Sequence, residues 1–129
     1  MGKMTSVNSN QFGQERDIWR GKLERFKQKN VLLKYRLSEM VDSSEGSQFL
    51  QTAEYFQNEL LLIDDNLRNL FFKLEELSSF PLQSKNGKEL PNNIAAGYNK
   101  LKKDIFHFEK RFEDLSKEFD KKMSENTGS

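Results

Sequence analysis

One histidine, no cysteine and a scatter of carboxylates are the chemical equipment of this 129-residue chain. Asp104 stands three residues before His107, so the two share one face of a helix. A carboxylate-x-x-His pair is half of the di-metal pattern of four-helix bundles, and the pattern needs a second such pair. A single histidine cannot supply it. His107 also falls beside Phe108 on the outward side of the apolar pattern described below, which predicts a solvent-facing ring. The adjacent carboxylates Asp64-Asp65 and Glu75-Glu76 point in different directions on a helix and do not converge on one substrate atom. Without cysteine there is no thiol nucleophile, no thiolate metal site and no disulfide framework. Neither a glycine-rich phosphate loop, a nucleophile elbow nor a His-Glu-x-x-His motif occurs. These absences predict a protein that is not an enzyme and that calls for no cofactor, metal or small-molecule substrate.

The elements that carry these residues are legible from apolar spacing. Phe49, Ala53, Phe56, Leu60, Ile63, Leu67, Leu70, Leu74 and Leu77 are separated by alternating steps of four and three, the seam of a heptad. Leu50 and Phe71, one residue past seam positions, are expected to widen the buried stripe. A first seam runs Phe12, Arg16, Trp19, Leu23, Phe26, Asn30, Leu33, Leu37, Met40, and a third runs Ile94, Tyr98, Leu101, Ile105, Phe108, Phe112, Leu115, Phe119. The predicted helices span residues 11–41, 45–79 and 91–122, each about 45 Å long at ~1.5 Å per residue. The break at 41–48 offers Ser43 or Ser44 as a cap for the second helix. Pro81 ends that helix near Ser78-Ser79, Asn86-Gly87 marks a turn, and Pro91 suits the first turn of the third helix. Short connections make sequential helices antiparallel neighbours. The expected fold is all-α, one domain, an antiparallel up-down-up three-helix bundle with long coiled-coil-like helices. Polar residues 1–10 and 123–129 are expected to be disordered.

Composition narrows the partners. The formal net charge is +1, so no global field selects nucleic acid or membrane. The longest apolar run, residues 60–63, stops at Asp64, far short of the ~18 residues of a membrane span. The N-terminus lacks a secretory apolar region. Met1-Gly2-Lys3-Met4-Thr5-Ser6 fits the myristoylation pattern, although Met4 reads as the natural start. Together with the missing cysteines, these features predict a cytoplasmic protein. Flanking the first seam, Arg20, Lys22, Lys27, Lys29, Lys34 and Arg36 form a basic edge, for which Glu45, Glu54, Glu59, Asp64, Asp65, Glu75 and Glu76 of the second helix are the expected counter-charge. The same edge supports an alternative function, binding to nucleic acid or to an anionic membrane surface.

Three local likenesses follow from these residues. Trp19-Arg20-Gly21 resembles the Trp-x-Gly motif of small secreted helical-hairpin proteins, but there the motif lies in the turn between two helices, whereas here Trp19 is on a seam within the first. The spacing Leu23, Asn30, Leu37 resembles a leucine zipper, without the basic DNA-contacting extension before it. The three-helix outline is similar to that of a spectrin repeat in architecture alone. None of them assigns the chain to a family.

Six apolar residues fall off the seams: Val31, Leu32 and Tyr35 on the first helix, Leu61 and Leu62 on the second, and Phe106 on the third. In an antiparallel register they lie near the middle of the rod, and an exposed belt there is expected to be a partner interface. The function expected on these grounds is a non-catalytic protein-interaction or scaffolding module, its partner a second copy of the chain (a homodimer) or another helical protein. Asn30, at a seam position level with Leu60 and Phe112, is expected to bond backbone or water, or to sit partly open, because neither neighbour offers a side-chain acceptor.

Overall fold

The computed structural model describes residues 9–43, 47–79 and 90–127. Three helices account for them: α1 (Ser9–Ser43), α2 (Ser47–Ser78) and α3 (Asn92–Thr127). The seams form one core, in which Leu23, Phe56, Leu60, Ile63, Leu74 and Phe119 are wholly shielded from solvent. The register is read directly from cross-helix pairs. Arg20 meets Glu75 while Lys34 meets Asp64, so α1 and α2 run antiparallel. Phe56 lies on Phe119 and Arg111 on Glu59, so α2 and α3 do too. Lys22 pairs with Glu109 and Arg36 with Asp120, which makes α1 and α3 parallel.

Packing is closest between α1 and α2 and widest between α1 and α3. Aromatic rings fill the wider gap. Tyr98 sits between Phe12, edge-on with centroids 5.6 Å apart, and Trp19 at 5.2 Å. Further along, Phe26 meets Phe108 and Phe112 edge-on at 5.4 and 5.6 Å. Such geometries let the positive edge of one ring face the negative face of another. Phe26 stays partly accessible because it spans that gap. Beside Tyr98, at the same end of the bundle, α2 and α3 approach closely: a Cβ on Gly97 would lie 3.1 Å from Leu77 Cδ2.

The helix ends depart from expectation in informative ways. α1 begins two residues earlier and ends two later than the seam alone indicated. α3 continues to Thr127, so residues 123–127 are helical, not a disordered tail. Met123 explains the extension. It is 4 % exposed and lines a small pocket with Arg36 and Met40 of α1. Lys122 occupies the next seam position, which hid the continuation. At the end of α2, Ser79 N–H donates to Glu75 O at 3.0 Å. Ser78 Oγ donates to Leu74 O and Ser79 Oγ to Glu76 O, so a hydroxyl satisfies one of the carbonyls that the helix end leaves without an N–H. Pro91 is the residue just before α3, and its carbonyl accepts the first helical bond, from Ala95 N–H at 2.9 Å. Ser43, expected as a possible cap of α2, is instead the last residue of α1, because α2 begins only at Ser47. Ser44, the Asn86-Gly87 turn and residues 1–8 with their myristoylation pattern lie outside what is described. Of the two residues expected to widen the α2 stripe, Phe71 packs against the core but Leu50 is exposed.

Asn30 is wholly buried, and its Nδ2 donates to Leu60 O at 3.1 Å and to Asp64 Oδ1 at 2.8 Å. Lys34 Nζ donates to the other oxygen of Asp64 at 2.6 Å. The expected backbone bond is present, and Asp64 adds a charged acceptor from one turn further along α2. Asn30 Oδ1 has no partner among the described residues. An orphaned buried acceptor costs about 1–3 kcal/mol. Asn30→Leu is therefore expected to raise the melting temperature by relieving that cost. Asn30→Asp should lower stability by about 3 kcal/mol or more at pH 7, because a buried carboxylate then faces the half-buried one of Asp64. Desolvation and Asp64 raise the folded-state pKa of the new carboxyl, so the loss shrinks as the pH falls and the proton is taken up. Thermal melts of both variants across pH 4–8 (a range of about 4 units around the carboxylate region) check both signs.

Gly21 stands in the middle of α1, where an added Cβ would meet only Arg25 Nη1 at an ordinary 3.7 Å. Its Trp-x-Gly likeness therefore serves no turn. Gly21→Ala is expected to stabilise the fold by about 0.5–1 kcal/mol, the difference in helix propensity, measured by denaturant unfolding.

Candidate interaction surface

The helical period divides each helix into a core stripe, two flanks and a back. On α1, one flank carries Lys22, Lys29 and Arg36 towards α3, where Lys22 bonds Glu109 at 3.2 Å, Lys29 lies over the Phe112 ring and Arg36 bonds Asp120 at 3.0 Å. The opposite flank carries Arg20, Lys27 and Lys34 towards the outer side of α2. There Arg20 bonds Glu75 at 2.9 Å and Lys34 bonds Asp64. The expected counter-charge thus comes only half from α2, and α3 supplies the rest. The reason is that α1 sits between two neighbours, and its two flanks face different ones.

The outer side of the α1–α2 pair is an open groove with the Lys34–Asp64 bridge across its middle. On one side of the bridge a hollow of about 530 Å³ is bounded by Glu24, Lys27 and Val31 of α1 and by Leu67, Arg68 and Phe71 of α2. Beyond it a second hollow of about 280 Å³ is bounded by Ser38 and Val41 of α1 and by Ala53, Gln57 and Leu61 of α2. The groove floor is core (Leu37, Ala53, Leu67), and its lips are the exposed Val31 and Leu61.

All six off-seam residues are exposed, from 45 % at Leu62 to 62 % at Tyr35. The structure gathers only some of them. Val31 and Leu61 share the outer groove. Leu32 lies on the α3 side of α1, between Lys29 and Arg36, and Tyr35 lies on its back. Leu62 lies on the α3 side of α2, next along the row from Glu59, which faces Arg111. Phe106 lies one turn before Glu109 on α3, level with Lys22 rather than with Tyr35. The six ring the rod and do not form one belt. Ile18, Tyr55 and Phe72 are also large, apolar and exposed. All three stand off the seams like the other six, so the same criterion finds them.

His107 is exposed and shares a shallow groove between α2 and α3 with Asp104, Asn66, Asn69 and Lys73. Lys100 bonds Asp104 at 3.2 Å. Among the described residues, no three His, Cys, Asp or Glu side chains gather where an ion could be held. Tyr98, buried between the rings of α1, donates its hydroxyl to Glu15. Tyr55 donates to Glu118 at 3.2 Å, and partial burial together with that carboxylate raises its phenol pKa above the ordinary value. These are contacts that hold helices together. No described helix is long and apolar enough to cross a membrane.

Fold and surface define a long three-helix bundle with an open groove along its α1–α2 hairpin. No protein-family model matches the chain, nor does any curated protein or solved structure.

Asp64 carries both the buried amide and the groove bridge, whereas Asp65 meets only Arg68, one turn along the same helix, in an exposed pair. Asp64→Ala is expected to cost about 1–3 kcal/mol by stranding a buried donor, and Asp65→Ala less than about 0.5 kcal/mol. Chemical denaturation of the two variants side by side measures the contrast.

Proposed function

We propose that the chain is a non-catalytic interaction or scaffolding module whose partner is a second copy or another helical protein. The observation that carries this reading is the outer α1–α2 groove, where Val31, Leu61 and Phe71 offer apolar surface beside core residues that form its floor. Apolar side chains grouped in a concave groove lower their free energy by meeting another apolar surface. The basic edge favours this reading over phosphate recognition. Arg20, Lys22, Lys34 and Arg36, four of the six cations of that edge, are each held by a carboxylate within the chain. A chain without cysteine fits a reducing compartment such as the cytoplasm.

The test compares the wild type with Val31→Lys/Leu61→Lys. Both positions are exposed, so the double variant should melt within a few degrees of the wild type, while complexes retained by the wild type, with itself or another protein, disappear. An apolar interface should also persist between ~50 and ~200 mM salt, where phosphate-driven binding falls steeply. Identical complexes from variant and wild type, or loss over that salt range, overturn the reading.

A further inference from the structure

The groove lips have a pattern that specifies a partner. Along α1 the outer lip repeats every seven residues as Glu24, Val31, Ser38. The outer lip of α2 has the same spacing in the opposite direction, Arg68, Leu61, Glu54. The antiparallel register, in which the short Asn30 side chain bonds Leu60 O, brings these to heights within about one turn of each other: Glu24 with Arg68, Val31 with Leu61, Ser38 with Glu54. Glu24, Val31 and Arg68 all border the larger hollow, and Ser38 and Leu61 the smaller. Each lip is thus chemically complementary to the other, an anion opposite a cation and an apolar residue opposite an apolar one.

A surface whose two halves complement each other at similar heights is completed by a copy of itself turned about a two-fold axis parallel to the rod. We infer, building on the interaction reading, that this face binds a second copy of the chain in that orientation. α1 of each protomer then lies on α2 of its partner, and the two hairpins form a four-helix core with α3 outside. Every adjacent pair in that core is antiparallel, and each lip contact occurs twice. The axis across the rod is disfavoured, because it lays α1 on its own copy and brings Lys27 towards the level of Lys34. The face runs from Arg20 to Val41, about 32 Å of helix, and is about 20 Å wide for two helices side by side. Covering it buries on the order of 600 Å² per chain, which meets the total of ~1,000 Å² that a specific interface needs.

The absence of native cysteine makes cross-linking a clean test. Sedimentation of the wild type from roughly 1 to 200 µM, a span that brackets micromolar affinity, should show a monomer–dimer equilibrium. Val31→Cys mixed with Leu61→Cys and oxidised should give a disulfide-linked dimer that neither variant gives alone, and Tyr35→Cys on the back of α1 should give none. Val31→Lys/Leu61→Lys should weaken the dimer by at least ~100-fold, since four ammonium groups meet at one interface. Arg68→Glu should weaken it too, and adding Glu24→Arg should restore it. Self-linking of Val31→Cys overturns the proposed axis. A wild type that stays monomeric over the whole range overturns the second copy as occupant. In that case a heterologous complex that the double lysine variant loses would still uphold the interaction reading, and its absence would remove both.

Discussion

One buried amide holds the register on which the rest of the bundle depends. Apolar heptads by themselves tolerate a slide of seven residues, because Leu60, Leu67 and Leu74 offer similar surfaces to the same stripe of α1. Asn30 does not tolerate it. Its Nδ2 reaches Leu60 O and Asp64 in one alignment. A shift by one heptad would offer the amide Leu67 O in place of Leu60 O but Phe71 in place of Asp64, so one buried N–H would lose its acceptor. Asp64 passes the constraint outward by binding Lys34 with its second oxygen, so the alignment of the core and the alignment of the groove lips are one geometric fact.

The third helix is held by different physics. It stands further from α1 than α2 does, and rings rather than branched aliphatic side chains bridge the distance. Around this aromatic filling, Lys22–Glu109 and Arg36–Asp120 close the edge, while Arg36 also lies over the Phe119 ring, 5.1 Å from its centre. Exposed pairs of this kind add little stability each, but they oppose α3 settling in the outer groove, where Arg68 and Lys27 would meet its own lysines. The outer α1–α2 groove is consequently the face left open.

That open face, and not any cluster of reactive groups, is where the molecule concentrates unusual surface. The polar side chains that the fold brings together are used to join helices: Tyr98 with Glu15, Tyr55 with Glu118, Asp64 with Asn30 and Lys34. Apolar groups that the core does not take in are spread around the rod, and at the groove Val31 and Leu61 border hollows floored by core residues.

The sequence by itself determined the helices, their order and nearly all of the core, because a four-three apolar spacing is a local property of a helix and needs no knowledge of neighbours. It also separated exposed from buried residues, since Val31, Leu32, Tyr35, Leu61, Leu62 and Phe106 all lie off the seams and are all exposed. Helix ends were less legible: Met123 is buried one position past a seam site held by Lys122, and only contact with α1 reveals that the helix goes on. What only the tertiary structure decided is which flank of each helix faces which neighbour. That choice turns on the relative rotation of three helices about their axes, a non-local quantity set by how Phe26, Phe108 and Phe112 interlock and by where Asn30 finds its acceptors. It sent half of the basic edge of α1 to α3 rather than α2, and spread the six off-seam residues around the rod. It left Val31 and Leu61 on the outer α1–α2 groove, which none of the described helices covers.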